Sequence, residues 1–177
     1  MPQSSRSTSS AKSGTKSPPP KANNAAPDAI KLLKADHKLV AELFDEYEDG
    51  KDTMSGPQKK KLATQICEEL TVHAQVEEEL FYPAIAEKTK DDEMEGMLAE
   101  ALVEHTSLKR LIADIDDAKP GSAQYDALVE VLGEYTEHHV KEEETEMFPT
   151  VRDSKIHLQT LGEQMALRKM TLQDEAA

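Results

Sequence analysis

His73-Ala74-Gln75-Val76-Glu77-Glu78-Glu79-Leu80-Phe81-Tyr82-Pro83 and His139-Val140-Lys141-Glu142-Glu143-Glu144-Thr145-Glu146-Met147-Phe148-Pro149 align without a gap. Each sets a His four residues before a Glu, adds a second Glu, and closes on an aromatic residue before Pro. That spacing puts His and Glu one helical turn apart on one face, with Cβ atoms about 5–6 Å from each other. An imidazole nitrogen and a carboxylate oxygen can then meet one ion. A single such pair is an ordinary helical contact, but two copies in one chain ask for a common cause.

The match extends outward. His37-Lys-Leu-Val-Ala-Glu-Leu43-Phe44-Asp-Glu-Tyr47 is in phase with His105-Thr-Ser-Leu-Lys-Arg-Leu111-Ile112-Ala-Asp-Ile115, and His73 and His139 follow 36 and 34 residues after these first histidines. Apolar residues at three- and four-residue steps predict a first helix over about 28–49, with Ile30, Leu33, Val40, Phe44 and Tyr47 inward. The second carries Leu62, Ile66, Leu70, His73, Glu77 and Leu80, and Pro83 should end or kink it. The third, about 91–118, turns Met94, Met97, Leu98, Ala101, Leu102, Leu108, Ile112 and Ile115 inward with His105 among them. The fourth, from about Ser122 to Met147, has Tyr125, Leu128, Leu132 and Tyr135 leading to His138 or His139. Each of those histidines has a Glu four residues on, and alignment through Pro149 selects His139 with Glu143. Ile156, Leu158, Leu161, Met165 and Leu167 suggest a short fifth helix with a frayed tail, on which His157 is a surface residue.

Two helical hairpins with short loops pack most readily as an all-α, antiparallel up-down four-helix bundle. Its inward polar set is His37, His73, Glu77, His105, His139 and Glu143. An unpaired buried polar group costs roughly 1–3 kcal/mol against a total stability of about 5–15 kcal/mol. Two protonated His–Glu pairs would neutralise each other but leave His37 and His105 without partners, so the set reads as metal ligands. The remaining members of the runs Glu77 to Glu79 and Glu142 to Glu144 read as a solvated face.

Six ligands with two carboxylates exceed a tetrahedral zinc site. Two ions bridged by Glu77 and Glu143 use the set economically, with His37 and His73 on one ion and His105 and His139 on the other. Imidazole with carboxylate suits iron among redox metals and is also compatible with zinc, manganese and cobalt. The di-iron pattern with Glu three residues before His is absent, because positions 70, 102, 135 and 136 hold Leu, Leu, Tyr and Thr.

The series His37, His73-x-x-x-Glu77, His105, His139-x-x-x-Glu143, with its Tyr82-Pro83 and Phe148-Pro149 endings, resembles the hemerythrin-like, or HHE cation-binding, domain over about residues 28–150. The resemblance implies a bundle holding two non-haem iron ions with bridging carboxylates and an oxo or hydroxo bridge. Oxygen-carrying hemerythrins place a further His one turn after the third-helix His; here that position is Lys109. An ammonium does not ligate unless it loses its proton. The ion of His105 and His139 should therefore have one protein ligand fewer than in the carriers, the place falling to water, an exogenous ligand or another oxygen donor. Tyr135, one turn before His139, is a candidate. A second open position makes irreversible chemistry more accessible. The expected function is binding, sensing or disposal of oxygen, hydrogen peroxide or nitric oxide rather than simple oxygen carriage. The alternative is an iron-responsive or metal-storing interaction module without redox turnover.

Composition bounds the rest. Residues 1–27 hold seven Ser, five Pro, four Lys or Arg and no acidic residue, which predicts a disordered arm. The total charge of −14 therefore leaves −18 on residues 28–177, which disfavours nucleic acid as a partner. No apolar run approaches the roughly 20 residues of a membrane span, so a cytoplasmic protein is expected. Cys67 is the single cysteine, which excludes an intrachain disulfide and any multi-thiolate metal site. Residues 28–150 are expected to form one domain, followed by the helix and tail of 151–177.

Overall fold

The computed structural model describes residues 26–176, so nearly all of the arm expected over residues 1–27 lies outside the described residues. Helix α1 (Ala29–Gly50) starts where the Asp28 carboxylate accepts the Lys31 N–H at 2.9 Å, an N-cap of the usual kind. Helix α2 (Gly56–Val76) starts at Ser55, whose backbone N–H donates to Gln58 Oε1, with Pro57 in the first turn. It runs through a π-helical turn, Glu77–Phe81, into α3 (Tyr82–Lys88). Asp91 caps α4 (Asp92–Asp117) and Ser122 caps α5 (Ala123–Glu142). Helix α5 repeats the pattern with a second π turn, Glu143–Met147, before α6 (Phe148–Asp153). Helix α7 (Leu158–Ala176) closes the chain.

Helices α1 and α2 pack as one hairpin and α4 and α5 as the other; α1 also meets α5, and α2 meets α4. This is the expected four-helix bundle. Helix α7 lies across α1, α2 and the first π turn. At 19 residues it is longer than the short helix expected. Its Leu161 and Met165 join Ile30 and Leu33 in one apolar cluster. Gly162 allows the close approach: a Cβ there would overlap the backbone of Pro27, Asp28 and Ala29.

The interruption expected at Pro83 takes the form of a π turn, beyond which the helix resumes, and Pro149 is met in the same way. Proline lacks an N–H and its ring collides with the carbonyl four residues back. Widening the turn resolves this, because the Tyr82 N–H bonds the Glu77 carbonyl and the Phe148 N–H bonds that of Glu143, each five residues back. The chain continues as helix with a changed phase. In a regular α-helix Tyr82 would lie about 140° around the axis from Glu77; the wide turn returns it to the same side.

Three apolar positions fall elsewhere than expected. Leu102, Tyr135 and Leu167 are 45%, 48% and 67% exposed. On α5 the buried series is Tyr125, Val129, Leu132, Thr136, His139 and then Glu143. These steps of four and three residues place Tyr135 one residue, about 100°, off the inward line. Leu102 is displaced from Ala101 in the same way.

The core is two apolar clusters. One, around Leu33, Phe81, Ile85, Met94, Met147 and Phe148, lies toward α7. The other holds Val40, Leu43, Ile66, Leu70, Leu108 and Leu132. His37 falls between Leu33 and Val40, and His105 between Ala101 and Leu108, so the polar residues form a layer between the clusters. Beyond the second cluster, Asp126 accepts from Tyr47 Oη at 2.8 Å and Lys59 Nζ at 2.6 Å, tying α1, α2 and α5 together.

Candidate metal centre

All six residues expected to bind metal are between 0% and 6% exposed. Their contacts form a near-symmetric pattern. Glu77 Oε2 lies 3.2 Å from His73 Nε2 and 3.4 Å from His105 Nε2. Glu143 Oε2 lies 3.2 Å from His37 Nε2 and 3.8 Å from His139 Nε2. Each carboxylate thus faces one histidine of either hairpin. The candidate ligand atoms form two adjoining groups, His37–His73–Glu77–Glu143 and Glu77–His105–His139, within each of which they lie within 4.8 Å of one another. The choice between neighbouring histidines is decided by exposure: His139 is 4% exposed, whereas the His138 side chain is 62% exposed.

The outer nitrogen of each imidazole faces a second carboxylate. His37 Nδ1 meets Glu144 at 3.0 Å, His105 Nδ1 meets Glu78 at 2.9 Å, and His139 Nδ1 meets Glu104 at 2.8 Å. His73 Nδ1 lies 3.6 Å from Asp36. An ionised carboxylate only accepts hydrogen bonds. The Nδ1 atoms of His37, His105 and His139 therefore carry the proton, and in the neutral ring Nε2 turns its lone pair inward. Composition alone assigned Glu78 and Glu144 to a solvated face, and the structure corrects this. A signal was present: an acidic residue precedes His37 and His105, and a second Glu follows Glu77 and Glu143. These carboxylates have partners of their own: Glu78 accepts from Lys109 at 2.7 Å, Glu144 pairs with Lys34, and Asp36 accepts from Lys169 of α7 at 2.6 Å.

The two halves differ at the residue that follows each π turn. Phe148 stacks on the His37 ring at 5.8 Å. Its counterpart Tyr82 is 4% exposed and donates its hydroxyl to Glu143 Oε1 at 3.0 Å, 3.4 Å from His105 Nε2 and 3.5 Å from Glu77 Oε2. Tyr82, missed in the sequence, therefore supplies a phenol oxygen beside His105, whereas Tyr135 points to solvent.

Electrostatics favour filling the layer with cations. Burial, then the neighbouring Glu143 charge, pushes the Glu77 carboxyl well above its usual range. Burial acts on Glu143 in the same sense, but the imidazoles of His37, His139 and His73 bring it down to about 2. Burial and then the His139 charge lower His105 to about 4. Burial opposes protonation of His139, yet the Glu104 hydrogen bond holds its pKa above the ordinary value. His37 Nε2, both nitrogens of His73, Glu77 Oε1 and Glu143 Oε2 are buried without a hydrogen-bond partner. Five such atoms converge in one layer, an arrangement that a plain core rarely tolerates and that bound cations would satisfy. Beside the imidazoles lies a cavity of about 10 Å³ lined by Val40, Leu70, Ala74, Leu108, Thr136 and Val140 as well as the histidines, space for one water-sized molecule.

Comparison with known proteins gives the same assignment. The hemerythrin HHE cation binding domain matches residues 28–151. A curated DNA nickase from Nostoc sp. strain PCC 7120 is 31% identical over 130 residues, 73% of this chain and 35% of that protein. The chain thus spans about a third of the length of this relative. The crystal structure of a hemerythrin HHE cation binding domain-containing protein from Mycobacterium kansasii superposes with a TM-score of 0.68 at 23% identity, over 85% of this chain and 90% of the other. On its repeated hairpins, its layer of buried histidines and carboxylates, and the family match over most of its length, this chain is a member of the hemerythrin HHE cation-binding family.

Proposed function

We propose that the layer holds two iron ions, with His37 and His73 on one, His105 and His139 on the other, and Glu77 and Glu143 between them. The observation that carries this reading is that each of the two carboxylates faces a histidine of either hairpin, so neither group of ligands is complete without sharing. Held by these nitrogen and oxygen ligands, ferrous iron would supply the electrons for chemistry with oxygen, hydrogen peroxide or nitric oxide. The protein's part is to hold and shield. Phe148 covers the His37 side, the Tyr82 hydroxyl keeps a proton at Glu143 Oε1, and the cavity admits only a molecule about the size of these ligands. Lys109 faces Glu78 rather than the layer, and the Tyr82 oxygen lies 3.4 Å from His105 Nε2. This arrangement favours sensing or disposal of the small ligand over reversible carriage.

The acidic residues 28–177 repel phosphate, so nucleic acid is not the proposed partner of this bundle. The nickase activity belongs to a relative of which this chain matches only a third. Among the described residues no helix is long and apolar enough to cross a membrane.

The test is anaerobic loading with ferrous iron followed by oxygen, peroxide or nitric oxide. The expected result is two irons per chain and ferric charge-transfer absorption. One iron or none per chain, or two irons with no spectral response to any of the three ligands, would overturn the proposal. Metal-dependent helix stability without such a response would instead support the metal-storing module.

A further inference from the structure

A second group of ligand-type side chains lies outside the layer. His138 Nε2 is 3.3 Å from a Glu142 oxygen and 3.5 Å from Glu104 Oε1, and the three residues bring ligand atoms within 4.8 Å of one another. An exposed His–Glu pair alone contributes little and needs no purpose. Two observations set this one apart. The other Glu104 oxygen bonds His139 Nδ1 at 2.8 Å, so one carboxylate touches both the outer and the inner histidine. Beside it, a cavity of about 40 Å³ is lined by Glu100, Glu104, Glu142 and Glu146 and reaches His139 and Glu143. Glu143 is 1% exposed, and its Oε2 accepts no hydrogen bond. No Lys or Arg is among the residues lining this cavity.

An ion bound for the layer must leave bulk water and pass between packed helices, since every candidate ligand there is buried. A passage walled by carboxylates lets it exchange water for protein oxygens stepwise, and its negative potential concentrates cations at the mouth. The His138 imidazole beside Glu104 and Glu142, which line that cavity, adds preference for first-row transition ions over magnesium and calcium, which favour all-oxygen sites.

We propose that His138, Glu142 and Glu104 form a loading site for divalent first-row transition ions, from which the ion passes along the carboxylate-lined cavity to Glu143 and His139. This rests on the reading of the buried layer as a metal centre. The site is transient: Glu104 serves the arriving ion with one oxygen and holds His139 with the other.

The experiment mixes full-length apoprotein with cobalt(II) and follows the visible absorption of the ion as it reaches the buried ligands, alongside cobalt bound per chain at equilibrium. His138→Ala with Glu142→Gln, and separately Glu146→Gln at the mouth, are compared with the parent and with Glu42→Gln, a change on the remote surface of α1. The expected outcome is uptake at least about tenfold slower in the double variant and measurably slower in Glu146→Gln, falling within the range by which charge steering alters association rates. Final stoichiometry should equal the parent's, and Glu42→Gln should match the parent throughout. Equal uptake rates in the double variant and the parent would overturn the loading site while leaving the centre intact. A parent that takes up no cobalt at equilibrium would overturn the centre, and the loading site with it.

Discussion

A histidine that binds metal must present one tautomer in one orientation, and Asp36, Glu78, Glu104 and Glu144 face the rings that need this. Outer carboxylates of this kind typically account for 10–100-fold in metal affinity. Asp36→Asn and Glu78→Gln should therefore each weaken iron or cobalt binding by about 10–100-fold while far-ultraviolet circular dichroism stays at the parent's level. Affinities from competition with a chelator check this. The direction of pH dependence also follows residue by residue. Glu77 and His139 are held above their ordinary pKa values, so in the apoprotein they keep protons that a metal must displace. His105, at about 4, and Glu143, at about 2, are already deprotonated between pH 7 and 5. Affinity should fall as pH drops through that window, by up to about tenfold per pH unit for each proton displaced. Calorimetry in buffers of different ionisation enthalpy should register the released protons. The six inward residues could be read from the repeat because their spacing matches the helix. The outer four could not, since each lies one residue from the inward line, where Asp36 is buried and Glu78, Glu104 and Glu144 are partly covered, and a binary division into buried and solvated faces assigns such a position to solvent.

At the scale of elements, Pro83 and Pro149 announce an interruption, but they do not say whether the chain breaks, bends or widens. Three-dimensional packing decides: Ile85 and Val151, on the helices that continue past the prolines, are fully buried. That outcome put Tyr82 at the layer and left Tyr135 outside it. Helix α7 was underestimated for a different reason. Its buried large apolar side chains are Leu161, Met165 and Leu172, too sparse a series to read as a long amphipathic helix, and polar contacts supplement its docking. Arg168 forks onto Glu79 at 2.6 and 3.0 Å, and Lys169 reaches Asp36. Gly162→Ala should force α7 off the start of α1, at a cost of about 1–3 kcal/mol as for other overpacked sites. Thermal unfolding measures the loss. Because Lys169 holds the carboxylate beside His73, the same variant should also bind metal less tightly.

For the whole molecule, charge and repeat were the most readable features. The bundle of two hairpins followed from in-phase histidines, and the acidic excess of residues 28–177 from composition. Full-length protein should leave supercoiled plasmid intact in magnesium or manganese under conditions in which an authentic nickase relaxes it, with agarose electrophoresis as the check. The larger lesson lies in how the outer carboxylates are distributed. Glu144 of the second hairpin holds His37 of the first, and Glu78 of the first holds His105 of the second. The exchange is reciprocal, as across a twofold axis. One hairpin alone would carry two inward imidazoles and an inward carboxylate but would lack the brace for its own first histidine, and a second copy turned about that axis would provide it. The chain is in this sense a homodimer written as a single polypeptide. The two halves are not identical, and Tyr82 and Phe148 mark one difference: one half sets a hydroxyl at the polar layer while the other covers it with hydrocarbon.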